Sequence, residues 1–170
     1  MKELRIIYMG TPEFAVPSLQ ILVENGFTVV AVITAPDKPK GRGQKLATSP
    51  VKDYAVRQHI PVLQPTNLKN PEFIEELRSY RANLQIVVAF RMLPEVVWDM
   101  PEIGTFNLHA SLLPQYRGAA PINWAIINGE KKTGVTTFFL KHEIDTGHVI
   151  FQEEEKIEEA DTVGDLYPRL

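Results

Sequence analysis

Short apolar runs that alternate with helical segments constrain the fold of this chain more than any other feature. Residues 4–9 form a short apolar run, as in strands that a sheet buries on both faces, and the largely apolar residues 27–34 and 84–90 are predicted to be strands as well. Further strands are predicted at 60–65, 104–109, 133–140 and 148–155, and helical segments separate all of the strands except the last two. This alternation predicts an α/β fold with an open, mostly parallel, Rossmann-like sheet that carries helices on both faces.

Local signals mark where several helices begin. Ser49 is expected to cap a helix whose first residue is Pro50, and Asn70 followed by Pro71 is expected to open another helix. Pro17 is unfavourable deep inside a helix, so the helical segment 10–26 is expected to begin irregularly. Segment 35–49 is rich in proline, glycine and lysine and is predicted to be a long loop.

The composition excludes several classes of protein. The 170 residues suit one domain with a sizeable core. There is no cysteine, hence no disulfide framework and no thiolate chemistry, and no apolar run approaches the roughly 18 residues of a membrane span. The N-terminus does not look like a signal peptide, so a cytoplasmic location is predicted. Residues 161–170 look like the start of a helix cut short, so the chain is expected to be a fragment of a longer protein.

Charge is distributed unevenly along the chain, although the net charge is only −3. Residues 153–165 hold seven acidic side chains and one lysine. Residues 37–52 hold one acid and five basic side chains, namely Lys38, Lys40, Arg42, Lys45 and Lys52. Crowded cations repel one another without an anionic partner, so this basic loop is predicted to bind a phosphate backbone. The alternative is a solvated surface loop.

Polar residues stand at the end of the strand predicted at 104–109. Side chains of a strand alternate between faces, so Asn107 and His109 are predicted to point the same way at the carboxyl end, where such sheets bind ligands. An amide donor beside an imidazole can stabilise an oxyanion and move a proton. The alternative is a strand end whose polar groups satisfy the loop backbone. Beyond it, Ser111 is expected to hydrogen-bond the loop, and Arg117 to bind either an anion or a neighbouring carboxylate.

Two other kinds of site have less support in the sequence. Only Gly10 follows the first strand, whereas a dinucleotide-binding fingerprint needs three spaced glycines there. His142, Asp145 and His148 have a spacing that suggests a metal, but the turn predicted around Asp145 would make the three side chains diverge. Asp145 itself is either a carboxylate that orients the histidine or a plain turn-former.

Three segments of this chain resemble a known enzyme family. The run FNLHASLLPQYRGAAPINWA, with the downstream Asp-Thr-Gly, is similar to the folate-dependent formyltransferases. The runs MGTPEFAVPSL and PDKPKGRGQKLATSPVK look like the branch of that family that formylates initiator methionyl-tRNA. The resemblance covers the whole chain and implies that residues 1–170 are the N-terminal catalytic domain, truncated near its end and without the family's C-terminal β-barrel domain.

The resemblance also implies a set of site residues. The catalytic trio would be Asn107, His109 and Asp145. The co-substrate 10-formyltetrahydrofolate, with no metal, would lie against Phe90, Arg91, Met92, Leu93, Leu140, His142 and Ile144. The substrate side would comprise Ser111, Leu112, Leu113, Pro114, Lys38, Lys40, Arg42 and Lys45, of which the leucines are also simple core candidates. Many relatives carry a Tyr-Gly pair where this chain has Phe90 and Arg91, so the side chains of the folate pocket are expected to differ.

The implied activity is formyl transfer to initiator methionyl-tRNA, by a monomer that holds the tRNA through the basic loop 37–52 and has no contact with a membrane. One alternative is a folate-dependent formyltransferase that acts on an amino-sugar nucleotide, because those relatives share a very similar motif. The basic loop argues against it, since a sugar nucleotide offers only two phosphates. A second alternative is a non-catalytic RNA-binding module, which would leave the Asn107, His109 and Asp145 arrangement without a role.

Overall fold

A computed structural model of the chain describes residues 3–43, 45–113, 115–116, 120–140 and 149–170. The chain forms two compact units, Met1–Thr105 and Phe106–Leu170. Among the described residues, no helix combines the length and the apolar character that crossing a membrane requires.

The first unit is built on a parallel sheet. Its elements in chain order are β1 (Arg5–Gly10), a 3-10 turn (Glu13–Ala15), α1 (Val16–Glu24), β2 (Thr28–Ile33), β3 (Lys38–Lys40), β4 (Lys45–Ala47), α2 (Pro50–Arg57), β5 (Val62–Leu63), α3 (Pro71–Ser79), β6 (Leu84–Val88) and α4 (Glu95–Trp98). Strands β5, β2, β1 and β6 lie side by side in that order, and each neighbouring pair is parallel. The predicted α/β class is confirmed.

The central strands of this sheet are buried because their apolar runs are continuous. In β1 the side chains from Ile6 to Met9 are almost completely inaccessible. Tyr8 is the largest of them, and its phenol donates a hydrogen bond of 2.5 Å to the carbonyl of Ala15. Burial raises the pKa of Tyr8 well above its usual range. The polar end of this side chain is therefore satisfied inside the core.

The helix starts predicted at Pro50 and Pro71 are confirmed. The hydroxyl of Ser49 accepts from the backbone N–H of Lys52 at 3.0 Å, and the side chain of Asn70 accepts from that of Glu72 at 2.9 Å. The predicted irregular start is also confirmed, because a 3-10 turn precedes α1 and Pro17 occupies the first turn of the α-helix, where its missing N–H is tolerated.

The prediction of a long loop at 35–49 was wrong in one respect. Strands β3 and β4 pair antiparallel within it, with Lys38 opposite Ala47, Pro39 opposite Leu46 and Lys40 opposite Lys45. Lysine, proline and glycine are poor strand formers, and the strands are three residues long, so composition alone indicated a loop. We call residues 38–47 the basic hairpin.

The second unit contains an antiparallel ladder. Strand β7 (Gly104–His109) begins just before the unit border, and the remaining elements are α5 (Pro121–Ile127), β8 (Lys132–Phe139), β9 (Val149–Lys156), α6 (Val163–Leu166) and a 3-10 turn (Tyr167–Arg169). Strand β8 pairs antiparallel with β7 on one side and with β9 on the other. Within the described part of this unit β9 pairs only with β8, so it forms the edge of the ladder.

Candidate active site

The carboxyl end of β7 carries the two polar residues that the sequence singled out. Asn107 lies opposite Phe138 of β8, and His109 lies opposite Thr136. Since Asn107 and His109 are two residues apart in one strand, both side chains are on the same face of the ladder. His109 is only 8% exposed, while Asn107 is half-buried. The predicted pairing of an amide and an imidazole on one face is therefore present.

The imidazole of His109 is held by the loop that follows the strand. Its Nε2 atom lies 2.7 Å from the backbone carbonyl oxygen of Tyr116. Tyr116 has a φ of 55°, in the left-handed region, which costs a bulky side chain roughly 1–2 kcal/mol. Such a conformation persists only where the surrounding contacts fix it.

The side chain of Tyr116 provides such contacts. Its phenol donates to a carboxylate oxygen of Glu130 at 2.7 Å and accepts from the amide nitrogen of Asn128 at 3.2 Å. The hydrogen bond to Glu130 raises the pKa of Tyr116, because the carboxylate favours the protonated phenol. Both partners follow α5, so this helix end anchors the residue whose carbonyl meets His109.

A second set of hydrogen bonds ties the same loop to the ladder. The hydroxyl of Thr136 is completely buried and donates to the carbonyl of Ser111 at 2.6 Å. The hydroxyl oxygen of Thr136 also accepts from the backbone N–H of Leu113 at 3.1 Å and from the amide nitrogen of Gln152 at 3.0 Å. Gln152 also donates to the carbonyl of Leu113 at 2.9 Å. We call Thr136 and Gln152 the loop clamp.

The clamp lies in register with the catalytic candidate. Thr136 is the cross-strand partner of His109 in β7 and of Gln152 in β9, so one row of residues crosses three strands. Gly134, two residues before Thr136 in β8, is closely packed. A Cβ added there would lie 1.9 Å from the carbonyl oxygen of Glu153 and 2.7 Å from a methyl carbon of Leu112. Only glycine fits this position.

The residues predicted on the substrate side have clear structural roles. Ser111 is fully buried and donates to the carbonyl of Gln115 at 2.8 Å, as expected of a residue that shapes the loop. Leu112 and Leu113 are half-buried in the same loop. Their contact with a substrate stays a prediction. Pro114 and Arg117 lie outside the described residues.

Several other predicted site residues also fall outside the described part of the chain. They include Asp145 of the proposed trio, His142 and Ile144 of the proposed folate contacts, and His148. Leu140 is described and is half-buried directly after β8. Among the residues that the structure describes, no group of three histidine or acidic side chains could hold a metal ion.

The segment after β6 in the first unit carries the remaining predicted folate contacts. Leu93 is buried, whereas Met92 is 70% exposed. The guanidinium of Arg91 donates to the carbonyls of Pro65 and Thr66, the latter at 2.9 Å, and lies 5.2 Å from the ring centroid of Phe90. Arg91 is thus hydrogen-bonded within the unit although it is exposed, and Met92 is the exposed side chain of this segment that is apolar.

The basic hairpin presents four cations to solvent. The side chains of Lys38, Lys40, Arg42 and Lys45 are all exposed. Lys40 and Lys45 face each other across the ladder, and like charges directly opposite one another destabilise a strand pair. The fifth predicted cation differs from these, because Lys52 forms an ion pair of 2.8 Å with Asp37.

The base of the hairpin is fixed to the parallel sheet. Asp37 accepts from Lys52 and, at 2.8 Å, from Gln64, and these hydrogen bonds lower its pKa. Just before it, the buried hydroxyl of Thr34 lies 2.6 Å from that of Ser49. The cap of α2 is therefore bonded to the end of β2, so the cations extend from a well-anchored base.

Sequence reasoning missed Tyr116, Glu130, Thr136 and Gln152. The contact of Tyr116 with Glu130 spans 14 positions, and the contact of Thr136 with Ser111 spans 25. Neither separation corresponds to a local motif. No alternation of polar and apolar residues in the β8 sequence KTGVTTFF marks Thr136 as buried, so no local signal could have found it.

Comparison with known proteins gives a consistent result. A family model described as formyl transferase matches residues 4–170. Methionyl-tRNA formyltransferase of Bacteroides fragilis strain ATCC 25285 is 66% identical over 169 residues, which are 99% of this chain and 52% of the relative. The protein of the same name from Flavobacterium johnsoniae is 64% identical over 170 residues, which are 100% of this chain and 54% of the relative. The chain thus spans about half the length of these curated relatives.

Solved structures with the same fold have much lower identity. Phosphoribosylglycinamide formyltransferase of Bacillus halodurans has a TM-score of 0.81 at 23% identity, over 97% of this chain and 86% of that one. Glycinamide ribonucleotide transformylase 1 of Symbiobacterium toebii has a TM-score of 0.82 at 23% identity, over 98% of this chain and 80% of that one. WlaRD, a sugar 3N-formyl transferase, has a TM-score of 0.70 at 26% identity, over 99% of this chain and 58% of that one.

Proposed function

The chain belongs to the formyl transferase family, and from this membership we propose that its protein transfers a formyl group from 10-formyltetrahydrofolate to the free amino group of initiator methionyl-tRNA. The names of relatives that are 64–66% identical support this acceptor. The observation that carries the proposal is the placement of Asn107 and His109 on one face at the end of β7. Because the chain spans about half of its relatives, the activity is proposed for the protein that contains it.

The reaction moves one carbon between two nitrogens. The lone pair of the acceptor amine attacks the formyl carbon and forms a tetrahedral oxyanion. When this intermediate collapses, the bond from that carbon to N10 of the folate breaks, and the proton lost by the attacking nitrogen is delivered to N10. An α-amino group has an ordinary pKa of roughly 7.7–8.0, and esterification of the neighbouring carboxyl lowers it, so the reaction requires no strong base.

The residues at the end of β7 suit this chemistry. The amide of Asn107 is half-buried at the end of β7 and donates to the oxyanion. The imidazole of His109, in its protonated form, donates to the same oxygen and moves the proton between the two nitrogens. Asp145 completes the trio by its match to the family motif and would orient the imidazole or relay the proton.

The catalytic assignment is tested by formyl transfer with the full-length protein. Asn107→Ala and His109→Ala are each expected to lower kcat by about 10²–10³-fold, as the loss of an oxyanion donor or a general acid does. His59→Asn, at an exposed turn of the first unit, is the matched control and should retain wild-type turnover. Near-normal turnover of either β7 variant would refute the assignment.

The basic hairpin supports an acceptor with a phosphate backbone. We propose that its four exposed cations, Lys38, Lys40, Arg42 and Lys45, contact phosphates of the tRNA. Bound phosphate would also relieve the repulsion between Lys40 and Lys45 across the ladder.

Two measurements separate this role of the hairpin from the chemistry. Arg42→Ala should raise KM for methionyl-tRNA and reduce the salt dependence of tRNA binding, while KM for the folate stays unchanged. Lys69→Ala, which removes an exposed cation outside the hairpin, should alter neither. Equal losses toward both substrates in the Arg42 variant would contradict the separation.

The folate contacts are proposed from the family motif. Segment 90–93 would contact the co-substrate through the exposed apolar side chain of Met92, while Arg91 holds the segment to the carbonyls of Pro65 and Thr66; Leu140, His142 and Ile144 would complete the contact. Met92→Ala is expected to weaken folate binding in a titration without tRNA. Unchanged affinity would exclude the Met92 side chain from the contact.

A second candidate acceptor is an amino-sugar nucleotide, favoured by the likeness to the sugar 3N-formyl transferase WlaRD. A nucleoside diphosphate sugar would engage at most two of the four hairpin cations. Direct competition between charged tRNA and amino-sugar nucleotides in one formyl-transfer assay distinguishes the two acceptors.

A further inference from the structure

We infer that Tyr116 is a positioning residue for His109. Its backbone carbonyl fixes the imidazole as the tautomer with hydrogen on Nε2, and its phenol, docked on Glu130 and Asn128, keeps that carbonyl in place. The inference rests on the proposed function only in taking His109 as catalytic.

The tautomer follows from the chemistry of the partner. The Nε2 atom of His109 is 2.7 Å from the carbonyl oxygen of Tyr116, and a carbonyl oxygen can only accept a hydrogen bond. Nε2 must therefore carry the hydrogen in the neutral ring and in the protonated ring alike. It follows that Nδ1 is the nitrogen that gains and loses a proton, and that the proton transfers of the reaction pass through Nδ1.

The position of that carbonyl depends on a backbone conformation that tyrosine rarely adopts. Tyr116 has a φ of 55°, where glycine is favoured and a bulky side chain is strained. The sequence places tyrosine there, so something other than backbone preference must select the residue. The phenol satisfies this requirement, because it both donates to Glu130 and accepts from Asn128.

The anchor is itself well fixed. The backbone N–H groups of Asn128, Gly129 and Glu130 donate to carbonyls of α5 at 3.0 Å each, so the turn after the helix is closed. Glu130 is two residues before β8, the strand that pairs with the end of β7. The phenol thus links the loop after His109 to a closed turn within the same unit. Without it, the strained residue can relax and its carbonyl can move away from the imidazole.

The tautomer is tested directly by nitrogen NMR of the full-length protein labelled with 15N-histidine. The His109 signals are assigned by their absence in His109→Asn. The wild-type neutral ring should show a single tautomer with hydrogen on Nε2. In Tyr116→Phe, which removes only the hydroxyl, the two tautomers should interconvert. Hydrogen on Nδ1 in the wild-type neutral ring would overturn the inference.

The anchor is tested by steady-state kinetics of the same protein. Tyr116→Phe and Glu130→Ala should each lower kcat by about tenfold, less than the hundredfold that a displacement of about 1 Å can cost, with KM for the folate unchanged. The double variant should be no slower than either single one, because both remove the same hydrogen bond. Glu130→Gln can still accept from the phenol and should stay close to wild type.

Tyr80→Phe, which removes the same hydroxyl from the first unit, is the matched control and should be silent in both assays. Wild-type kcat and a single tautomer in Tyr116→Phe would refute the anchoring role. If the wild-type protein transferred no formyl group but showed the expected tautomer, the proposed function would fail while the positioning of His109 by Tyr116 would stand.

Discussion

Removing the hydroxyl of Thr136 tests the loop clamp with almost no change in shape. The Thr136→Val variant keeps the branched side chain in the same buried position. It deletes a hydroxyl that donates to the carbonyl of Ser111 and accepts from the N–H of Leu113 and from the amide nitrogen of Gln152. Gln152 keeps its hydrogen bond to the carbonyl of Leu113, so the loop retains one of its ties to the ladder.

The magnitude follows from how well water can replace the lost hydroxyl. Ser111 is completely buried, so its carbonyl pays the penalty of a buried unsatisfied group, about 1–3 kcal/mol. Leu113 is only half-buried, so water can satisfy its N–H at small cost. We expect a loss of about 2 kcal/mol in the free energy of unfolding. For a chain of this size that loss lowers Tm by about 4–8 °C.

Urea unfolding and thermal melts of the protein check this value against two controls. Thr137→Val deletes a hydroxyl whose one hydrogen bond to a described residue, the carbonyl of Phe151, is 3.5 Å long, and it should change stability by less than about 0.5 kcal/mol. Thr136→Ser keeps the hydroxyl and should retain most of the clamp. If Thr136→Val were as stable as Thr137→Val, the clamp would contribute nothing and the argument would fail.

Three further perturbations have expected outcomes that unfolding experiments can check. Ser49→Ala should lower the free energy of unfolding by about 2 kcal/mol, because it removes both a helix cap and a buried hydroxyl contact. Asn70→Ala removes an exposed cap alone and should lower it by about 1 kcal/mol. Equal losses would contradict the role of the buried contact. Gly134→Ala forces a Cβ against a backbone carbonyl and should lower the free energy of unfolding by about 3 kcal/mol or more. A Cβ added at Gly164 would lie 3.6 Å from the hydroxyl of Thr162, its nearest described neighbour, so Gly164→Ala should be tolerated. Tolerance at both positions would show that strands β8 and β9 can move apart at little cost. The pKa of Asp37 in the folded protein lies below its unfolded value of 3.8, so its contribution to stability is complete above pH 3.8 and is lost as pH falls through the folded pKa. The difference in unfolding free energy between wild type and Asp37→Asn should therefore shrink in acid. A difference that grows in acid would contradict this prediction.

Local signals in the sequence were sufficient for much of the first unit. Ser49 followed by Pro50, and Asn70 followed by Pro71, each predict a helix that begins at the proline, and both helices begin there. The buried strands were predicted from their continuous apolar runs, because burial on both faces removes alternation from the pattern. The basic hairpin was missed because Lys38–Lys40 and Lys45–Ala47 have almost no strand propensity of their own.

The candidate site was predictable to the extent that strand geometry fixes it. Two residues apart in a strand, Asn107 and His109 had to share a face. The supporting contacts depended on the antiparallel register of β7, β8 and β9 and on a left-handed backbone at Tyr116, neither of which a single sequence encodes locally. Asp145 was predicted from the family motif alone, and its place in the trio remains a prediction.

The outer strand β9 bears on whether this molecule associates with itself. Among the described residues the outer edge of β9 has no partner strand; such an edge is a template for another copy of the same strand, and β9 begins with the exposed apolar residues 149–151. Its second half, however, is three consecutive glutamates and a lysine. Antiparallel pairing of two copies about their midpoints would set Ile150 against Glu155 and Phe151 against Glu154, and parallel pairing would set each glutamate against its own copy. Either arrangement is unfavourable, so the acidic run guards this edge against aggregation while the apolar half remains exposed.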